Sequence, residues 1–125
     1  MDYVATSGAP KAIGPYSQAV KVNGIVYTSG QIPLDPATGD LVTGDFDKEA
    51  RRVFDNLAAV LKEAGSDFSR VIRATVFLTD LANFQTLNAI YAEYFKDHKP
   101  ARTTIQAAAL PKGATVEIDL IAEVG

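Results

Sequence analysis

Two charged side chains near the C-terminus, Arg102 and Glu117, could do chemistry together. Arg102 follows Pro100 and begins a run, 102–109, that predicts a buried strand. A guanidinium in such a strand needs an anion, because an unpaired buried charge is too costly to keep. Its planar set of donors suits a carboxylate held by two hydrogen bonds. Either the protein itself or a small-molecule substrate supplies that carboxylate.

Glu117 is the natural acidic partner to test first, and strand geometry argues against a direct pair. If the last two strands formed a hairpin, Arg102 would lie about 16 Å along the strand from the position opposite Glu117. If another strand lay between them, two strand spacings would separate the two residues by about 10 Å. Asp119 and Glu123 share the predicted face of Glu117, and the sequence leaves open which carboxylate meets a ligand.

Other candidate site residues carry weaker signals. Tyr16 follows the turn Gly14-Pro15, which either aims its ring or leaves it as a packing residue. Ser29-Gly30 ends a predicted strand, where Gly30 allows a close backbone approach to a ligand or only a bulge. Asn88 lies on an apolar helix stripe, and its buried amide favours a structural bond to a neighbouring loop over ligand contact. His98 favours the helix dipole, and one histidine without cysteine makes a metal site improbable.

Composition bounds the class of protein. The chain has 125 residues, which predicts one domain over residues 1–125, and 47% of them are hydrophobic. It has no cysteine and fifteen acidic against twelve basic residues, without a basic stripe for nucleic acid. The first residues lack the order of a signal peptide, and no apolar stretch approaches the length of about 20 residues that spans a membrane. We expect a soluble, cytoplasmic protein.

The predicted elements follow from apolar periodicity and turn residues. Asn23-Gly24 lies between two short apolar runs and predicts a hairpin. The helical spacing of apolar residues predicts a helix over 45–64, closed by Gly65, and a second helix that Asp80 caps and that ends before Pro100. Strands are predicted over 71–79, 102–109 and 115–124. The predicted core residues of the second helix are Phe84, Leu87, Tyr91, Tyr94 and Phe95.

The order of these elements predicts an α+β fold. Each strand-helix-strand step favours parallel strands and a right-handed crossover, so both helices should lie on one face of a mixed sheet. One apolar sheet face is predicted from Ile72, Ala74, Val76, Leu78, Val116, Ile118, Leu120 and Ala122. Two helices cannot cover the other face, and Phe77, Ala108 and Ile121 there favour a symmetric oligomer.

Four tracts give the chain a resemblance to a known family. They are Gly14-Pro15-Tyr16-Ser17-Gln18-Ala19, Ser29-Gly30-Gln31-Ile32-Pro33, Pro100-Ala101-Arg102 and Val116-Glu117-Ile118. Together they resemble the RidA (YjgF) family of reactive-intermediate enamine/imine deaminases, in order and spacing over essentially the whole chain.

The resemblance implies a chorismate-mutase-like α+β fold and a homotrimer with sites between subunits. It implies hydrolysis of 2-iminobutanoate and 2-iminopropanoate, and of the enamines in equilibrium with them, to 2-oxo acids and ammonia without a cofactor. Arg102 matches the arginine that binds the substrate carboxylate, and Glu117 matches the acid that handles water. Positions that line the pocket in relatives fall on Tyr16, Ser29, Gly30 and Asn88. Thr104 departs from the cysteine common in the family, a change that bears on substrate preference and not on activity.

Two functional classes share these residues. The first is an imine/enamine deaminase, in which Glu117 is needed for turnover. The second is a non-catalytic or regulatory module that binds a small carboxylate on the same trimer. RNA cleavage, a third class, is disfavoured by the acidic balance, the single histidine and the lack of a basic groove.

Overall fold

A computed structural model, which describes all residues 1–125, shows one six-stranded mixed sheet and two α-helices. The α+β class and the two-helix mixed sheet are thus as predicted. The strands are β1 (Asp2–Val4), β2 (Ala19–Val22), β3 (Ile25–Thr28), β4 (Val71–Leu78), β5 (Ala101–Gln106) and β6 (Val116–Glu123). The helices are α1 (Phe46–Ala64) and α2 (Phe84–Phe95). None of the helices combines the length and the apolar character needed to span a membrane.

Helix α1 begins and ends where its sequence signals lie. The carboxylate of Asp45 accepts a hydrogen bond of 3.0 Å from the backbone N–H of Asp47 and so caps the first turn. Gly65 ends the helix with φ of 85°, a left-handed conformation that a residue without Cβ adopts cheaply. The apolar face of α1 is fully buried against the sheet.

Helix α2 begins later than its cap suggested. Asp80 caps a short 3₁₀ turn, Leu81–Asn83, and the α-helix follows from Phe84. Leu87 and Phe95 are buried as predicted, whereas Phe84 is 37% exposed and lies outside the core. The prediction of Phe84 as a core residue is therefore wrong, because its ring lies against the Arg102 guanidinium of the edge strand β5 and outside the core.

The strand order is β1-β2-β3-β6-β4-β5. β4 and β5 are parallel neighbours across α2, while β6 runs antiparallel between β3 and β4. The last two strands are thus not a hairpin, since β4 lies between them. β5 is an edge strand with half-buried and exposed residues, so the expectation of a buried strand at Arg102 is wrong within one chain.

Both helices cover the same sheet face, as predicted. Alternate residues of β6, from Val116 to Ala122, are buried in one core with residues of α1 and α2. On β4 the alternation is broken by a bulge between Val71 and Arg73, which buries Val71 and leaves Ile72 42% exposed. Ile72 was therefore wrongly assigned to the core face, because a bulge shifts the side-chain period by one.

Candidate active site

Glu117 lies in a pocket on the sheet face that the helices leave open. The pocket has a volume of about 320 Å³ and is formed where β6 meets the segments around residues 10–18 and 29–34. Its polar lining includes Tyr16, Ser29 and Gly30, three residues that the sequence analysis assigned to the site. The structure therefore brings four of the predicted site residues together.

Gly30 is the surface against which the Glu117 carboxyl group lies. A Cβ atom on Gly30 would stand 3.0 Å from Cγ of Glu117 and 2.8 Å from Cδ, and would overlap Oε2. A two-bond bridge between Gln31 and Ile118 holds the two segments together, with N···O distances of 2.9 and 3.2 Å. The lack of a Cβ atom at Gly30 thus allows a close approach to its backbone, and the group that approaches within the chain is the Glu117 carboxylate.

The environment of Glu117 favours its neutral form. Burial raises the pKa of Glu117 above its ordinary value, and the nearby negative charge of Asp119 raises that pKa further. Burial also raises the pKa of Asp119, which a hydrogen bond from Thr75 and the charge of Arg73 oppose. Asp119 does not line the pocket, whereas Glu117 does. The structure therefore singles out Glu117 among the acidic residues of this face.

Tyr16 is held at the pocket mouth by its own loop. Its backbone N–H donates to the carbonyl of Gly14 at 2.8 Å, and its hydroxyl accepts from the N–H of Ile13 at 3.4 Å. The side chain is 50% exposed, so it is a wall of the pocket and not a core residue. The packing alternative for Tyr16 is therefore excluded within the chain.

Ser29 and Gln18 fix the frame of the same pocket. The Ser29 hydroxyl donates to the carbonyl of Ser17 at 2.6 Å, which commits its proton to the backbone. The buried Gln18 amide accepts from the N–H of Thr6 at 2.7 Å and donates to the carbonyl of Pro10 at 2.9 Å. These bonds anchor the N-terminal segment that forms one wall, a role for Gln18 that the sequence analysis missed.

Arg102 lies elsewhere, between two aromatic rings of α2. Its guanidinium carbon is 4.8 Å from the ring centre of Tyr91 and 5.6 Å from that of Phe84. Phe84 and Tyr91 are seven residues apart on α2, which corresponds to a rise of about 10 Å, so the guanidinium lies between the two rings. The ion pairs of the chain join Arg51 to Asp47 and to Glu93, and Arg102 has none. Two ring faces thus hold the cation without neutralising it.

Three unpartnered polar atoms accompany Arg102. The buried atoms without a hydrogen-bond partner are Asn88 Oδ1, Tyr91 Oη and Thr104 Oγ1. Thr104 is on the same face of β5 as Arg102, and Asn88 lies on α2 between Phe84 and Tyr91 in sequence. The structural bond predicted for the Asn88 amide is not made by its side-chain oxygen within the chain. Buried polar groups ordinarily have partners, so this group of atoms suits a polar ligand.

Arg102 and Glu117 face opposite sides of the sheet. Glu117 is paired with Phe77 and that residue with Ile105, whereas Arg102 lies three residues before Ile105. Two strand spacings combined with three residues along the strand give a separation of about 14 Å between the two Cα atoms. No direct pair forms, as predicted, but the separation exceeds the 10 Å expected because the register is offset.

The remaining candidates contribute little to either half of the site. A ring nitrogen of His98 lies 2.6 Å from the carbonyl of Val71, and the ring lines a smaller pocket of about 230 Å³ beside Arg102. The structure brings no three His, Asp or Glu side chains together in an arrangement that could hold a metal ion.

Two features were not apparent from the sequence. They are the apolar part of the Glu117 pocket and the cation–π clamp that the rings of Phe84 and Tyr91 form around Arg102. Ile32 and Leu34 line the pocket, and neither was named as a candidate site residue from the sequence. Phe84 and Tyr91 have the spacing of a core stripe, and nothing in the spacing separates a ring that covers a cation from one that fills a core. The one usable signal for the frame of the pocket was Gln18 in the Gly14–Ala19 tract, because a buried amide needs hydrogen-bond partners in neighbouring segments.

Comparison with known proteins places the chain in a family. Residues 6–124 match the family model described as endoribonuclease L-PSP. The chain belongs to this family, which is also the RidA (YjgF) family. The chain is 50% identical over 119 residues to the human protein named 2-iminobutanoate/2-iminopropanoate deaminase, covering 95% of this chain and 87% of that one. It is 57% identical over 116 residues to protein DfrA of Myxococcus xanthus, covering 91% and 88%.

Solved structures of similar proteins agree with the fold. The chain superposes on the Rid-family protein YyfA from Yersinia pestis with a TM-score of 0.96 and 51% identity, over 98% of both chains. It superposes on E. coli TdcF with bound serine with a TM-score of 0.94 and 40% identity, over 100% of both chains. The recognition made from the four sequence tracts is confirmed.

Proposed function

We propose that this RidA-family protein hydrolyses 2-imino acids such as 2-iminobutanoate and 2-iminopropanoate to 2-oxo acids and ammonia. The observation that carries the proposal is a cation without an anion, Arg102, together with a pocketed carboxyl group of raised pKa, Glu117. The similar human protein bears the name of this activity, and the similar E. coli TdcF was crystallised with serine, itself a small amino acid with a carboxylate.

The site needs two copies of the chain. The carboxyl carbon and the imine carbon of a 2-imino acid are joined by one bond, so the groups that bind them must lie close together. Within one chain Arg102 and Glu117 are about 14 Å apart on opposite faces, too far for one such ligand. We therefore place the site between subunits of a homotrimer, the assembly that the family resemblance implies. The exposed apolar side chains of Tyr27 and Ile105 support association through the open face.

In the proposed reaction Arg102 of one subunit binds the substrate carboxylate through two parallel hydrogen bonds. Glu117 of the other subunit orients a water molecule beside the imine carbon and accepts its proton as the C–O bond forms. It returns that proton to nitrogen, which gives a carbinolamine. It then passes the hydroxyl proton of the carbinolamine to the amine as the C=O bond forms and the C–N bond breaks, and ammonia and the 2-oxo acid leave. A raised pKa brings the carboxyl group nearer to the working pH, which suits a group that both accepts and donates a proton. Asn88, Thr104, Ser29, Gly30 and Tyr16 form the walls.

A coupled assay tests the activity. A threonine dehydratase generates 2-iminobutanoate, and semicarbazide traps whatever imine persists. Wild type should suppress the trapped product, whereas Arg102→Ala and Glu117→Ala should not. A wild-type protein that leaves the trapped product unchanged, while binding 2-oxobutanoate, would show the alternative function, a carboxylate-binding module.

Mixing two inactive variants tests the shared site. Arg102→Ala and Glu117→Ala are denatured together, or co-expressed, so that mixed trimers form. An interface is intact when it takes Arg102 from the Glu117→Ala variant and Glu117 from the Arg102→Ala variant. Random assembly gives about a quarter of the interfaces this intact composition. We expect about a quarter of the wild-type activity, and no recovery would contradict a site between subunits.

The family description also names a ribonuclease. A titration of labelled RNA against the protein at low salt separates this function, since phosphate contacts give strong, salt-dependent binding. We expect no shift of the RNA, in line with the net charge of −3.

A further inference from the structure

Tyr91 is the one member of the unpartnered group beside Arg102 that neither the sequence motifs nor the proposed reaction uses. Its hydroxyl is fully buried and has no hydrogen-bond partner in the chain. A buried hydroxyl without a partner loses its bonds to water and gains nothing in return. Such a group is either a defect or a donor that a ligand completes.

The ring of Tyr91 is firmly placed. It is stacked on Phe95 with ring centres 4.2 Å apart and meets Phe54 edge-to-face at 6.0 Å. On its other side it contacts the Arg102 guanidinium. A ring fixed on these sides cannot turn its hydroxyl to water without disturbing the core, so the unpartnered state belongs to the packing.

The chemical setting selects an anion as the missing partner. Burial raises the pKa of Tyr91, and the positive charge of the unpaired Arg102 guanidinium opposes this rise only in part. The phenol therefore keeps its proton and can donate. Thr104 presents a second unpartnered hydroxyl from the β5 side. A carboxylate has about four acceptor positions, more than a guanidinium fork alone can fill.

We propose that Tyr91 is a ligand-binding residue, whose phenol O–H donates a hydrogen bond to the carboxylate held by Arg102 while its ring orients the guanidinium. This assignment rests on the proposed function, and it adds a donor on helix α2 to the anion site. The site then takes 2-oxo and 2-imino carboxylates through three kinds of donor: guanidinium, phenol and hydroxyl.

The test is Tyr91→Phe, which keeps the ring and removes the hydroxyl. Calorimetric titration with 2-oxobutanoate should show a Kd about 10-fold higher or more, the loss typical of a hydrogen bond to a charged group. The melting temperature of the ligand-free protein should stay level or rise, because an unpartnered buried hydroxyl has been removed. A structural role would instead lower the melting temperature and leave Kd unchanged.

Tyr94→Phe is the matched control on the same helix. The Tyr94 hydroxyl lies 2.9 Å from Asp55 Oδ1, so it has a partner within the chain. This variant should lower the melting temperature and leave the Kd for 2-oxobutanoate at the wild-type value. Sedimentation of each variant shows whether the oligomer persists.

The outcomes separate this assignment from the proposed function. If Tyr91→Phe binds 2-oxobutanoate as wild type does, or loses its oligomeric state, the phenol does not serve the ligand and the assignment is wrong. If Arg102→Ala has lost binding in the same experiment, the anion site stands without Tyr91. If wild type neither binds 2-oxobutanoate nor removes the imine, the proposed function itself fails.

Discussion

Replacement of Gly30 by alanine tests whether the position of the Glu117 carboxyl group governs the reaction. The φ angle of Gly30 is not in the left-handed region, so alanine causes no backbone strain there. What alanine adds is a methyl group that meets Glu117 at three atoms: 3.0 Å from Cγ, 2.8 Å from Cδ and in overlap with Oε2. The substitution therefore acts on the carboxylate and on little else.

The size of the effect follows from these distances. Carbon atoms in contact are ordinarily about 3.5–4.0 Å apart, so the carboxyl group must move by about 1 Å or more. A misplacement of about 1 Å costs on the order of 10²-fold in rate. We expect kcat/KM for 2-iminobutanoate to fall by about 10²-fold in Gly30→Ala, within the range of about 10²–10⁴-fold for complete loss of a general base.

The assay is the dehydratase-coupled trapping of imine, run on Gly30→Ala, Glu117→Ala and the double variant. Glu117→Ala removes Oε2, Cδ and Cγ, so the added methyl group meets none of these atoms. In that background Gly30→Ala should therefore change the rate little, a non-additivity that marks residues in contact. Full activity in Gly30→Ala, or an equal further loss in the double variant, would refute this account of the glycine.

Three further results are expected. The pKa of Glu117 in the folded protein is raised above its ordinary value of 4.5. The contribution of this group to folding stability is therefore fully present below pH 4.5 and is lost as the pH rises through the folded pKa. Glu117→Gln should therefore melt above wild type at pH 7 and level with it near pH 4, by calorimetry. Phe84→Leu should leave the melting temperature nearly unchanged but raise KM about two- to fivefold, through the loss of one exposed cation–π contact of about 0.5–1 kcal/mol. Ile105→Asp, on the open face, should yield monomers in sedimentation and no imine hydrolysis; a trimer with wild-type rate would contradict this.

Local patterns in the sequence were enough for most of the fold. Helix α1 was placed within a residue because its cap, its apolar period and Gly65 agree. β1 was missed because three residues offer too little alternation to detect. Ile72 was assigned to the wrong face because a bulge leaves no local sign in the residue types around it.

The site was only half predictable, since its geometry depends on strand register. Glu117, Gly30, Ser29 and Tyr16 line one pocket, and they lie in three of the four tracts that carry the family resemblance. The opposed faces of Arg102 and Glu117 follow from the β4–β5 and β4–β6 registers, which are long-range pairings that no local spacing reports. The cation–π clamp likewise depends on how α2 lies over an edge strand.

If the site lies between subunits as proposed, the separation of Arg102 and Glu117 onto opposite faces makes specific activity depend on protein concentration. Under the proposed arrangement a lone chain carries all the groups the reaction needs and yet is inert, and dilution below the dissociation constant of the assembly would switch the enzyme off. A newly synthesised chain would be inactive until it assembled with other copies of the chain. Serial dilution with immediate assay would reveal this as a fall in turnover per chain.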